Sequence, residues 1–124
     1  MSDWTDYVAK ARERGSLGAE FYAVLSRPAQ NAARMPEVLP KHLEFLQDLE
    51  KRRILVFAGP LSDASGTSRT GEGLLVLRAA SIAEADRLAA ADPMHLEGCR
   101  AYTVQGWLIN EGHIPDELRP LDRP

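Results

Sequence analysis

The sequence predicts an α+β domain built on a four-stranded split sheet, and three observations point there. Four short runs rich in β-branched and aromatic residues read as strands. Two longer stretches between them repeat apolar residues at helical spacing, about 100° per residue. The runs "FYAVL", "ILVF" and "LLVL" are almost continuously apolar, as in strands covered on both faces, instead of alternating as they would beside water.

Ser2 or Asp3 can cap a first helix, because a short side-chain oxygen accepts from otherwise orphaned amides. Trp4, Tyr7, Val8 and Ala11 share one face of it, and Gly15 ends it. "FYAVLSR" (21–27) is the first strand, stopped by Pro28. Residues 28–36 are loop by composition. "LPKHLEFLQDLEKRR" (39–53) follows as an amphipathic helix, with Pro40 tolerated in its first turn. "ILVFAG" (54–59) is a second strand, ended by Gly59-Pro60, and the polar "PLSDASGTSRTGEG" (60–73) reads as a loop. "LLVLR" (74–78) is the third strand. "SIAE" (81–84) has the spacing of a capping box, in which Ser and Glu each satisfy the other's backbone amide. The helix it opens aligns Ile82, Ala85, Leu88 and Ala89 and must stop near Asp92-Pro93. "AYTVQGWLI" (101–109) is the fourth strand, and the tail with Pro115, Pro120 and Pro124 reads as an arm or a disordered end. The chain thus divides into a helical extension (1–18), an α+β domain (19–112) and a Pro-rich tail (113–124).

Without the extension and the tail the order is β-α-β-β-α-β. Right-handed crossovers and short connections then favour a ferredoxin-like sheet with both helices on one face. The other apolar face needs cover, which the sheet of a second copy would supply in a homodimer.

That topology gathers residues at one edge of the domain. The end of the first strand (Ser26, Arg27), the end of the second (Gly59, Pro60), the start of the first helix (His42) and the end of the second helix (Asp92) meet there. His42 sits near the middle of the apolar arc made by Phe45, Leu49, Leu46 and Leu43, and Asp92 falls between Leu88 and Ala85 on its own inward arc. The bland reading makes His42 a satisfied core histidine and Asp92 an Asx-Pro turn. The functional reading makes them a general acid–base pair. The macrodipole near a helix N-terminus disfavours imidazolium while an adjacent carboxylate favours it, opposed influences that suit a base working near neutral pH.

Composition removes several other classes. A net charge of −3 and a pI near 5.6 lack the basic footprint of a nucleic-acid binder, and "EKRR" (50–53) is a solvated helix end. No run reaches the ~20 apolar residues of a membrane span, and the N-terminus carries acids without the apolar core of a signal peptide. Cys99 is the only cysteine, so no intrachain disulfide forms and a reducing, cytoplasmic setting is expected. His95 could join His42 and Asp92 around a metal, but no tight ligand spacing supports it. Gly71 and Gly73 lack the Lys and Ser/Thr of a phosphate loop, so no cofactor is expected.

"HLEFLQDLEKRRILVFAGPL", then "GEGLLVLRAASIAEADRLAAADP", then "VQGWL" resembles the YCII-related family. The resemblance implies the dimeric α+β-barrel architecture shared with muconolactone-isomerase-like proteins. It maps the family's helix His, Gly-Pro and Asp-Pro onto His42, Gly59-Pro60 and Asp92-Pro93, and implies an active-site His–Asp pair in a small cleft. Some members resemble dehydrochlorinases of aromatic degradation. The chain departs by its extra N-terminal helix, its tail, and Lys41 where many relatives carry Arg before the His. The reading is a cofactor-independent lyase- or isomerase-like enzyme acting on a small cyclic or aromatic acid. Its alternative is a non-catalytic ligand-binding or accessory protein in which the pair is structural.

Overall fold

The computed structural model describes residues 3–121. Its elements are α1 (Trp4–Glu13), β1 (Ala19–Pro28), α2 (Met35–Lys51), β2 (Leu55–Ser62), β3 (Arg69–Leu77), α3 (Ile82–Ala90), α4 (Pro93–Leu96) and β4 (Arg100–Ile109). The sheet is antiparallel with strand order β2-β3-β1-β4, the split β-α-β-β-α-β arrangement expected from the sequence. Asp3 caps α1 by accepting from the Asp6 amide, whereas Ser2 and Pro124 lie outside the described residues. Among the described residues no helix is long and apolar enough to cross a membrane.

Paired residues share a face, so the register assigns each side chain. Tyr22, Val24 and Ser26 of β1 face the helices with Leu75 and Leu77 of β3. There Val24, Leu49, Leu55, Leu77 and Ala89 form the main core. Ala19, Phe21 and Val76 pack on the opposite face against Leu17, Ile109 and Ile114. Ile114 thus brings the start of the tail down onto the sheet, and Arg78 donates to the Arg119 carbonyl at 2.7 Å. The tail is therefore an arm with a 3-10 turn at Asp116–Leu118.

Several boundaries differ from the sequence reading. A 3-10 turn at Ala32–Arg34 leads straight into α2, which starts at Met35, so Pro40 lies inside the helix and not in its first turn. Pro40 forgoes the bond to Pro36. Burial of Val38 and the packing of Met35 against Met94 and Cys99 hold that first turn nonetheless. Strand β2 does not end at Gly59-Pro60. It runs on to Ser62, with Pro60 opposite Gly73 and a bulge beyond it, which an edge strand tolerates. The polar loop is mostly the two arms of a β2–β3 hairpin, and only its tip, residues 63–68, lies outside the strands, closed by the Asp63 amide donating to the Ser68 carbonyl. Pro28 ends β1 without stopping it short, because β3 has already left that flank after the pair Ser26↔Gly73. Ser81 caps α3 as expected, but Glu84 accepts from the Ala80 amide and not from that of Ser81.

Candidate functional site

His42 occupies the third turn of α2, one turn from Leu39 and Leu46 on the same side, and all three line an open cleft. The apolar arc around the histidine is therefore a cleft wall, with Leu39 and Leu43 more than 40% exposed, while Leu49 further along is in the core. Asp92 sits between α3 and α4 with extended backbone (φ −61°, ψ 126°), the conformation of an N-cap. Its carboxylate accepts from the Met94 amide at 2.9 Å, and Pro93 supplies the preset first residue of α4. The Asx-Pro turn is thus real, and it also aims the carboxylate.

The His42 Nδ1–H donates to Asp92 Oδ1 at 2.8 Å and Oδ2 at 2.9 Å. A carboxylate only accepts, so Nδ1 carries a proton, and Nε2 is the ring nitrogen that Asp92 does not engage. Asp92 is 2% exposed, whereas the His42 side chain retains 20% exposure on the cleft. Because α2 begins earlier than the sequence implied, His42 is too deep in the helix to feel the N-terminal dipole, which fades within the first turn. Asp92 is the charged group bonded to it.

The cleft encloses about 1090 Å³ between α2 and the β2–β3 hairpin. Gly59 and Pro60 line it as expected, and so does Ser26. The Ser26 hydroxyl is fully engaged. It donates to His95 Nε2 at 2.8 Å and accepts from Arg100 Nε at 2.8 Å, while His95 Nδ1–H donates to the Ala89 carbonyl. Both ring nitrogens of His95 are thereby committed, and its ring lies 4.6 Å from that of Tyr102. Arg27 is a correction. Strand alternation turns it to the opposite face from Ser26, exposed and away from the cleft.

Among the described residues two arginines do line the cleft, Arg69 on the hairpin and Arg100 at the start of β4, and the sequence reading passed over both; Arg100 is the half-buried one. Its signal was present: Arg100, Tyr102 and Val104 pair with Pro28, Ser26 and Val24, so the first residue of β4 shares the helix-side face. Burial lowers its guanidinium below the ordinary value, and the Asp92 carboxylate pulls the other way. Among the described residues no group of three or more His, Cys, Asp or Glu could hold a metal ion.

A split antiparallel sheet carrying a His–Asp pair in the wall of a ligand-sized cleft defines a class of small α+β domains. More narrowly, the chain belongs to the YCII-related domain family, whose model matches residues 20–108. It is 34% identical over 70 residues to an uncharacterised protein, YjpA, of Bacillus subtilis (strain 168), a stretch covering 56% of this chain and 75% of that one. Among solved structures it resembles the 5-chloro-2-hydroxyhydroquinone dehydrochlorinase TftG of Burkholderia phenoliruptrix AC1100, solved with 2,5-dihydroxybenzoquinone. That match has a TM-score of 0.55 at 22% identity and covers 69% of this chain and 92% of the other, a likeness of fold.

Proposed function

We propose that this protein is a small cofactor-independent enzyme, lyase- or isomerase-like, that moves a proton on a small cyclic or aromatic acid. The observation that carries the reading is the His42–Asp92 bond in a cleft wall, which engages Nδ1 and leaves Nε2 for a substrate in the cleft. His42 takes a proton from the substrate through Nε2, and Asp92 steadies the imidazolium formed. The same imidazolium returns the proton, either to another substrate atom or to a departing group. A dehydrochlorinase with the same fold lends support to the reaction class. The domain works in the cytoplasm as a homodimer whose sheets face each other. In support, Phe57 is 70% and Trp107 45% exposed on the face away from the helices.

One observation favours a second reading, a non-catalytic ligand-binding or accessory protein: Asp92 already has a structural task as the cap of α4. The test is a panel of small cyclic and chlorinated aromatic acids assayed alongside melting curves. His42→Asn is expected to abolish turnover with the fold intact, a loss of at least roughly 10²-fold, and Asp92→Asn to impair it less. Wild-type turnover by a stable His42→Asn variant would sink the catalytic reading.

A further inference from the structure

Arg100 is a half-buried cation with an incomplete set of partners. A guanidinium offers five N–H donors where a lysine ammonium offers about three. Here Nε donates to Ser26 Oγ at 2.8 Å, and Nη2 donates to the Ser26 carbonyl at 2.9 Å and to the Gly71 carbonyl. Nη1 finds, among the described residues, only the Met35 sulfur, at 3.7 Å, a weak acceptor. Among the described residues Arg100 makes no ion pair, because the carboxylate that acts on it, Asp92, is bonded to His42 instead. The guanidinium, on which Asp92 acts without contact, lines the same cleft as His42, whose other walls include Leu39, Leu43, Leu46 and Met94, with Arg69 and Glu72 on the hairpin side. A buried charge is costly until an opposite charge meets it, so this cleft is built for a ligand with an apolar body and a negative head.

We infer that Arg100 is the anion-binding residue of the cleft, gripping one oxygen of a cyclic carboxylate or phenolate end-on through Nη1. The grip is single because Nε and Nη2 are already spent on β1 and the hairpin, which rules out the two-pronged contact usual between arginine and carboxylate. An end-on contact suits a phenolate oxygen as well as a carboxylate oxygen. The anion displaces the Met35 thioether from Nη1. This deepens the acid–base reading by naming the charge of its substrate, yet it concerns binding and needs no turnover.

The test uses the full chain and NMR titrations with benzoate and 4-nitrophenolate, each against a neutral isostere, benzamide and 4-nitroanisole. Both anions are expected to bind more tightly than their isosteres by roughly tenfold or more. Arg100→Met removes the charge but also loosens β1 and the hairpin, so the decisive variant is Met35→Glu. It places a carboxylate beside Nη1 in the first turn of α2, where an acid suits the helix dipole, and Met35→Gln, which gives up the same packing against Met94 and Cys99, controls for any loosening of that turn. Met35→Glu is expected to weaken both anions about tenfold, while Met35→Gln stays within about threefold of wild type. Preference for one anion alone assigns the head group to that chemistry. Equal binding of anions and isosteres, no saturation up to about 10 mM, or an unchanged affinity in Met35→Glu would each overturn the inference. His42→Asn keeps anion binding, so loss of turnover there and loss of affinity in Met35→Glu report on separate claims.

Discussion

Replacing Asp92 by alanine removes the bond from the Met94 amide and the forked bond from His42 Nδ1 at a site 2% exposed, and the worth of each can be estimated. Losing the cap on the Met94 amide costs about 1 kcal/mol. Leaving the His42 Nδ1–H without its acceptor costs about another 1 kcal/mol, the low end of the range because the 20% exposed side chain can still reach water. The sum, about 2 kcal/mol, corresponds at this chain length to a fall in melting temperature of roughly 6–10 °C. Asp92→Asn behaves differently. Its Oδ1 still caps Met94, and asparagine is as good an N-cap as aspartate, so the loss is under about 1 kcal/mol. Its amide nitrogen now stands beside His42 Nδ1, however, and favours the tautomer with the proton on Nε2. Melting curves by circular dichroism read the first effect, and the nitrogen shifts of the imidazole read the second. An Ala variant melting within about 2 °C of wild type, or an Asn variant as unstable as the Ala one, would refute this account of the pair.

Light scattering at micromolar concentration is expected to give twice the 13.7 kDa chain mass, and Phe57→Glu on the open sheet face to give the monomer. A monomer mass for the wild type would end the dimer proposal. At the hairpin tip, Asp63 accepts from the Ser65 hydroxyl at 2.7 Å and from the Ser65 and Thr67 amides. The Ser65 hydroxyl is the largest cause holding its carboxyl below the ordinary value, with desolvation opposing it. A depressed carboxyl stabilises the tip above its unfolded value, near pH 3.9, and that contribution is lost as pH falls through the folded value. Amide-exchange protection of Ser65 and Thr67 should therefore hold at about pH 5 and drop in strong acid; an Asp63→Asn variant with unchanged protection at about pH 5 contradicts it.

The topology was legible in the sequence because it follows from local periodicity and from handedness. Of the main core, Leu49 lay on the helical arc, whereas Val24 and Leu77 lay in continuously apolar strand runs whose two faces only the strand register separates. What failed were segments whose structure is imposed from a distance. Proline and glycine at Pro40 and Gly59-Pro60 read as punctuation, yet packing of Met35 and Val38 extends α2 past one, and pairing with β3 carries β2 past the other. At the site, the meeting of His42 and Asp92 could be inferred, since each lies on an inward arc at the same edge. Arg27 was assigned by proximity along the chain, where strand alternation is decisive, and Arg100 escaped because its importance depends on partners from β1 and the hairpin.

The two walls of the cleft belong to parts of the chain that bear on stability differently. His42 and Asp92 are fixed to α2 and to the cap of α4, whose neighbours are core. The facing wall, Ser68 to Gly73, comes from a hairpin whose tip is held by its own Asp63 network. Insertions or substitutions in residues 61–70 can therefore reshape what the cleft admits while leaving the acid–base pair and the main core untouched. Selectivity and chemistry are separable by mutation, so a library confined to the hairpin is the economical route to new ligands in this scaffold.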